Sequence, residues 1–260
     1  RFLFWADRLG LLVWGETAAA YEFSARAVEL LTREWLEIVR RDRSHPSIVT
    51  WVPMNESWGV QDIATVPAQQ AYATALAALT RALDPTRPVV SNDGWEHVDS
   101  DILGLHDYTT EPDVLSRRYR DDQAVREAVS GPGPQDRRPV LTPGQMARYD
   151  DGRAPLMITE FGGVSHQGDP STWGYAQVSS DTEYARLLQG LFDALRSSPG
   201  IAGFCYTQLT DTRQEANGLL TADRRPKLPM ETLREIVTGS AEPVGEVTST
   251  VGWTRSSAAS

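Results

Sequence analysis

Short apolar runs alternate along this chain with longer stretches in which apolar residues recur every three or four positions. That pattern reads as strands and helices in turn. Phe2, Trp5 and Leu9 have near-helical spacing, and Gly10 stops that first helix. Leu11–Trp14 is a short buried strand that runs into Gly15-Glu16. From about Ser24 to Arg41, the residues Val28, Leu31, Trp35, Ile38 and Val39 share one helix face. Arg40, Arg41 and Arg43 gather at its end, where cations suit the helix dipole. His45-Pro46 breaks the pattern before the strand Ile48–Val52. Tyr72, Leu76, Leu79 and Leu83 mark a helix over about Ala68–Leu83. Val89–Ser91 and Ile102–Leu105 are further strands, and Asp113–Val129 holds a helix. Gly131–Asp151, rich in Gly, Pro and Arg, predicts a long surface loop. Leu156–Thr159 is a strand, and Ser165–Ser180 a polar loop. A helix capped by Asp181 carries Tyr184, Leu187, Leu188, Leu191 and Leu195 on one face. Ile201–Tyr206 is the last strand, Gln208–Leu220 its long following loop, and about Met230–Val237 the last helix.

Six short strands, mostly separated by helices and without hairpin signals, predict a parallel α/β sheet. A polar or charged residue follows almost every strand: Glu16, Glu56, Asp93, His106, Glu160 and Gln208. If the sheet curls into a barrel, all of these meet on one face. An open doubly wound sheet is the alternative, although the Gly-rich phosphate fingerprints of its nucleotide-binding versions are absent. The centre of the pattern is Ile48–Ser57, where Asn55-Glu56-Ser57 follows a buried strand at once. Asn55 as the N-cap of a new helix is the competing reading of that trio.

Composition narrows the function. A formal net charge of −10 over 260 residues argues against a nucleic-acid partner. No apolar run approaches the ~20 residues of a membrane span, so no membrane partner is expected. Cys205, the one cysteine, lies in an apolar run and reads as a buried, inert thiol. The chain opens on Arg1 without a signal-peptide pattern, which suggests a cytoplasmic fragment of a longer protein. Residues 1–239 form the folded domain, and residues 240–260 are small, polar and expected to be poorly ordered.

Glu56 and Glu160 stand at equivalent places, each just past a buried strand. Two facing carboxylates suit glycoside hydrolysis: one protonates the leaving oxygen, and the other attacks the anomeric carbon or activates water. Trp58, Trp95, Tyr108, Phe161 and Trp173 offer aromatic platforms for a sugar, and Asn55 and Asn92 offer partners for hydroxyls. Asp93, His106 and Gln208, at other strand ends, complete the expected carbohydrate-binding set. His45, ahead of its strand, belongs to the stability face of a barrel.

Here a resemblance becomes specific. Arg41-Asp42-Arg43-Ser44-His45-Pro46-Ser47-Ile48, with Trp51 and Asn55-Glu56-Ser57, resembles the acid/base signature of glycoside hydrolase family 2. That family includes β-galactosidases, β-glucuronidases and β-mannosidases. Ile158-Thr159-Glu160-Phe161-Gly162-Gly163 is similar to its nucleophile strand, and Asp7–Trp14 to its third barrel strand and the helix end before it. Tyr206–Asp211, Asn217-Gly218-Leu219 and Asp223–Lys227 resemble its last strand and loop. The resemblance implies a (β/α)₈ TIM barrel and a retaining β-glycosidase, β-galactosidase-like, with Glu56 as acid/base, Glu160 as nucleophile and Asn55 on the sugar 2-hydroxyl. It implies no metal and no cofactor. It further implies that Glu160 stays ionised beside hydrogen-bond donors, and that its charge helps to keep Glu56 protonated.

Two departures accompany the resemblance. The motifs align with strands 3–8, so the barrel is expected to be incomplete: strands 1–2 and the family's N-terminal β-sandwich domains are missing. Tyr206 and Gln208 stand where many relatives carry a Trp facing the sugar. A carbohydrate-binding or inactive relative is the alternative function. A metal-dependent hydrolase built on His97, Asp99, His106 and Asp107 is a rival that no metal-ligand spacing supports. The carboxyl groups are expected about 5–5.5 Å apart, as retention requires.

Overall fold

The computed structural model describes residues 1–166 and 172–239. The expected tail of residues 240–260 lies outside them. The elements are α1 (Phe2–Leu9), β1 (Val13–Glu16), α2 (Ala25–Asp42), β2 (Ile48–Val52), α3 (Pro67–Leu83), β3 (Leu103–Asp107), α4 (Pro112–Arg118), α5 (Asp122–Ser130), α6 (Pro143–Asp150), β4 (Leu156–Gly162), β5 (Val164–His166), β6 (Ala176–Val178), α7 (Asp181–Arg196), β7 (Gly203–Thr207) and α8 (Met230–Thr238). Gly10 and Gly239 end α1 and α8 in the left-handed conformation, which costs glycine little.

β1 pairs in parallel with β2, with Glu16 opposite Val52. The strand expected at 89–91 is an extended segment that pairs only at single bridges, Trp51 with Val89 and Asn55 with Asp93. Side chains take the N–H groups a longer ladder would use: Asp101 accepts from Val89 N at 2.9 Å and Ser100 Oγ from Ser91 N at 2.8 Å. Beyond this segment Gly94 N donates to Gly104 O on β3, and β3, β4 and β7 follow side by side, all parallel. Successive strands are therefore spatial neighbours with helices between them, the wall of a TIM barrel. Among the described residues β1 and β7 do not pair with each other.

Helices cover one face of this wall in two apolar clusters. Leu31, Trp35 and Val39, four residues apart on α2, are buried, and Trp35 and Val39 pack with Trp51 of β2 and Leu76 and Ala77 of α3. Leu103, Leu105, Leu156, Ile158 and Phe161 pack against α4, α5, α7 and α8. Trp35 meets Trp51 edge-on at 5.7 Å, and its indole N–H donates to Thr80 Oγ1 at 2.7 Å. Trp35→Ala is expected to cost about 3–5 kcal/mol, read from the denaturant midpoint. A loss below about 1 kcal/mol would mean that this contact does not hold α2 to α3.

Several expectations need correction. The supposed loop 131–151 contains α6, where Thr142 Oγ1 accepts from Gln145 N at 3.1 Å, Pro143 fits the first turn and buried Gln145 bonds to both backbone groups of Ser100. The helix in 113–129 is two helices, because Asp121 caps a new start with a bond from Ala124 N at 2.8 Å. The polar loop 165–180 overlaps two short parallel strands, β5 and β6. The helix after it is capped by Ser180, not Asp181. Cys205 is exposed, not buried. Phe204 and Tyr206 face the helices, so period-two alternation turns Cys205 to the inner side of the wall.

Candidate active site

The chain after β2 makes an abrupt turn. Glu56 and Ser57 adopt φ of 50° and 55°, the left-handed region that costs a non-glycine residue roughly 1–2 kcal/mol. Dedicated hydrogen bonds hold the turn. Glu56 N donates to Asp93 O at 2.8 Å, and Ser57 N to Asn92 Oδ1 at 2.8 Å. Asn92 Nδ2 donates to Ser57 Oγ at 3.0 Å and to Glu96 O at 2.8 Å. Arg137 pairs with Glu96 at 2.7 Å and lies over the Trp95 ring at 4.3 Å. No helix begins at Asn55, so the N-cap reading fails there.

β4 presents Glu160 by another device. The pairing with β3 passes from Leu105–Ile158 directly to His106–Glu160, so Thr159 is an extra residue in the ladder. Ile158 and Phe161 both face the helices, and the bulge leaves Thr159 and Glu160 between them on the inner side. Thr159 Oγ1 donates to Asp93 Oδ1 at 2.8 Å. Gly104 makes room for that carboxylate: a Cβ there would lie 1.7 Å from Asp93 Oδ1.

Glu56 and Glu160 meet around His106. A carboxylate oxygen of each and a ring nitrogen of His106 lie within 4.8 Å of one another. His106 Nδ1 is 2.8 Å from Glu56 Oε1 and 3.5 Å from Glu160 Oε2, and Nε2 is 3.4 Å from Asp93 Oδ2. The imidazole is 0% exposed, while Glu56 and Glu160 keep 21% and 30% of their side-chain surface. Tyr108 Oη donates to Glu160 Oε2, and the Tyr108 ring stacks on Tyr175 at 3.7 Å.

The electrostatics follow from this crowding. Burial alone would lower the His106 pKa, but the bonds to Asp93 and Glu56 and the charges of Asp93 and Glu160 outweigh it and push it up to about 10. His106 is thus an imidazolium wedged among carboxylates. Burial works against ionised Asp93, yet the bonds from His106 and Thr159 hold its pKa below the usual range. Burial raises the Glu160 pKa, opposed by the His106 charge and the Tyr108 bond and reinforced by the charge of Glu56. Tyr108 donates to Glu160 and His106 Nδ1 stands 3.5 Å from it, yet the net direction is upward. Burial first, then Glu160, raises the Tyr108 phenol, which stays a neutral donor. At the end of β1, the surrounding protein and the charges on Asp93 and Glu160 push Glu16 up to about 7.

A pH dependence follows. The folded-state pKa of His106, about 10, exceeds its ordinary value of 6.5. Its contribution to stability is complete below about pH 6.5 and is lost as pH rises through about 10, roughly a few kcal/mol in all. Glu16 acts in the same direction but only up to about pH 7. His106→Gln should therefore flatten the decline in denaturant midpoint between pH 8 and pH 10; an equal decline in both proteins would contradict the assignment.

The expected site residues divide into two groups. Asn55 is half-buried beside the turn, Trp58 and Trp173 are 38% and 40% exposed, and Gln208 is half-buried with Nε2 3.5 Å from Glu215 Oε2. These are open to a ligand, as is Tyr108 in part. Trp58 lies between Tyr21 and Trp95, with ring centroids at 5.4 and 6.2 Å. Asn92, Asp93 and His106 need correction as sugar contacts. They are buried and their polar groups are occupied within the protein, so they position Glu56 and Glu160 instead. Phe161 also needs correction as a platform, since it is buried against Phe192 and Phe204. Tyr21, Tyr175 and Glu215 were missed, because they lie in loops without the strand-end position that marked the other residues. His97, Asp99 and Asp107 do not join His106 in a metal-binding group: His97 bonds to Ser100 and Gly104, Asp99 to Arg81, and Asp107 to Arg118 and Tyr119. The group with metal-ligand spacing among the described residues is Glu56, His106 and Glu160, and a cation there would compete with the His106 proton.

A parallel barrel wall with two carboxylates converging at its C-terminal strand ends defines a hydrolase-type TIM-barrel site. The family is then explicit. Residues 1–184 match the model of the glycosyl hydrolases family 2 TIM barrel domain, and the chain belongs to that family. Rat β-glucuronidase is 42% identical over 62 residues, 23% of this chain and 9% of that protein. Pig β-glucuronidase is 34% identical over 88 residues, 32% of this chain and 13% of that protein. A family 2 β-galacturonidase from Eisenbergiella tayi, solved with galacturonate, superposes with a TM-score of 0.66 at 19% identity, over 92% of this chain and 43% of that one. Bacteroides uniformis β-glucuronidase 3 gives 0.64 at 19% identity, over 94% and 32%. At such identity the structures speak for the fold alone. The chain spans less than half of the solved chains and a small fraction of the curated relatives.

Proposed function

We propose that this domain carries the catalytic carboxylates of a retaining β-glycosidase. One observation carries the reading: Glu56 and Glu160, brought from strands far apart in sequence, present carboxylate oxygens within 4.8 Å of each other. That is close to the spacing of about 5–5.5 Å suited to a nucleophile and an acid, and short of the roughly 6.5 Å or more that admits a water between them. Glu160 attacks the anomeric carbon while Glu56 gives its proton to the departing oxygen. A glycosyl ester on Glu160 results, and Glu56 then takes a proton from the water that cleaves it, so two inversions retain the configuration. Tyr108 orients Glu160 by its hydrogen bond. The His106 imidazolium lowers the cost of negative charge passing between the two carboxylates.

The barrel of this reading is completed by further chain as strands 1–2. The outer edges of β1 and β7, unpaired among the described residues, together with exposed Leu11, Leu12, Leu209 and Cys205, support that proposal. The sugar remains a hexopyranose in β linkage, a galactoside on the sequence reading; the relatives found are named for uronic acids. The decisive experiment incubates the protein with a 2-fluoro β-glycosyl fluoride and maps the adduct by mass spectrometry. An adduct on Glu160, with the β-anomer as first product by NMR, is expected. Hydrolysis yielding the α-anomer first would sink the retaining assignment.

A further inference from the structure

Glu56 and Ser57 hold a costly conformation, and part of what keeps them in it comes from a distant stretch of chain. Their left-handed φ of 50° and 55° persists only where the surroundings enforce it. Ser57 is the point of enforcement. Its Oγ donates to Glu96 Oε2 and accepts from Asn92 Nδ2 at 3.0 Å, and its N donates to Asn92 Oδ1 at 2.8 Å. Glu96 is 2% exposed, so its carboxylate needs a counter-charge inside the protein. Among the described residues that charge comes from Arg137, 41 residues further along the chain, whose Nε donates to Glu96 Oε1 at 2.7 Å. The same guanidinium donates from Nη2 to Gln61 O at 3.3 Å, just beyond the turn, and lies over the Trp95 ring. Arg137 thus grips the Glu56 turn from behind through Glu96 and from its far end through Gln61.

The segment that carries Arg137 is itself fixed. Gly133 N donates to Arg137 O at 2.7 Å and Asp136 N to Gly133 O at 3.0 Å, which closes a tight turn around Asp136. Gln135 Nε2 donates to His106 O near the end of β3. On the other side of Arg137, His97 N donates to Pro139 O at 2.6 Å, and Leu141 N to His97 O at 3.1 Å. A stretch with the composition of a surface loop is therefore a brace between β3 and segment 92–97. Glu160 has separate supports, the β3–β4 pairing and the bond from Tyr108. Without Arg137, Glu96 would be buried without its cation, and turning that carboxylate toward water relieves the cost. The Ser57 hydroxyl then loses its acceptor and the turn its lock. A reacting group displaced by about 1 Å can lose on the order of 10²-fold in rate.

We propose that Arg137 is a positioning residue that sets the acid/base Glu56 through Glu96 and Ser57, so that segment 131–141 belongs to the catalytic framework. This rests on the β-glycosidase reading, and the test separates the two. Amide hydrogen exchange, read by NMR on the wild type and Arg137→Ala, needs no turnover. The amides of Glu56 and Ser57 should exchange about tenfold faster or more in the variant, while those of β2 and α2 keep their rates. Kinetics follow on alkyl and dinitrophenyl β-glycosides. Arg137→Ala should lose about 10- to 100-fold in kcat/KM on the alkyl glycoside, which needs the proton, and less than about threefold on the dinitrophenyl one. Arg137→Lys, which keeps a cation for Glu96, should recover part of the loss. Glu96→Gln should show the same dependence on leaving group, and the double variant should be no worse than the poorer single one. If Arg137→Ala does not fold, Arg137→Lys and Glu96→Gln carry both measurements. Unchanged exchange at Glu56 and Ser57 overturns the proposal. So do an equal loss on both glycosides, additive losses in the double variant, or the same effects from Arg138→Ala at the exposed neighbour. If the wild type cleaves no glycoside, the β-glycosidase reading fails separately, and the exchange rates decide whether Arg137 holds the turn.

Discussion

Glu160→Ala is expected to reduce turnover of an activated aryl β-glycoside by on the order of 10⁴- to 10⁶-fold, as removal of a covalent nucleophile does elsewhere. The methyl group cannot form the glycosyl ester, and the retaining route is closed. Sodium azide should restore part of the rate, because a small anion fits the space left by the carboxylate and attacks the anomeric carbon directly. Only one inversion then occurs, so the product is the α-glycosyl azide. Stability should not fall with activity. Glu160 shares its surroundings with Glu56 and Asp93, its pKa is raised mainly by burial, and removing a partly desolvated carboxylate relieves repulsion there. Rescue that yields the β-azide, or a variant that keeps more than about a hundredth of the wild-type rate, would show that Glu160 is not the nucleophile.

Glu56→Ala should behave differently, and the difference assigns the roles. General acid catalysis contributes about 10²- to 10⁴-fold, and only where the leaving oxygen needs a proton. Dinitrophenyl glycosides, whose leaving group departs as a stable anion, should lose little in the step that forms the glycosyl ester. Alkyl glycosides should lose nearly the full factor. Plotted against leaving-group pKa, log kcat/KM should be steep in the variant and shallow in the wild type. His106 complicates any conservative replacement, since its Nδ1 sits 2.8 Å from Glu56 Oε1 and loses that acceptor in alanine. Glu56→Gln, which keeps an oxygen for His106 but no acidic proton, therefore serves as the second variant. Matching leaving-group profiles for Glu56→Ala and Glu160→Ala would refute the division of roles.

The apolar runs and helical stripes by themselves determined the order of the main wall strands and of the long helices, but not α6, β5 or β6. β2 spans Ile48–Val52 as the run predicts, and α2 and α3 begin and end within about a turn of their stripes, because burial of one face and a local cap act over a few residues. The sequence also placed Glu56 and Glu160 after parallel strands, where a barrel gathers its chemistry. Tertiary structure alone decided the rest. The extra residue at Thr159 shifts β4 so that Glu160 points inward and Phe161 outward, and no local propensity announces a bulge that long-range pairing imposes. Asn92, Asp93 and His106 look like sugar ligands at strand ends, and only their burial and mutual hydrogen bonds make them the scaffold of the two glutamates. The short strands β5 and β6 bring Tyr175 against Tyr108 from a loop without periodic signal. Cys205 is exposed for a related reason: the side of a strand is fixed by alternation, but whether that side meets protein or water depends on what the rest of the barrel brings against it.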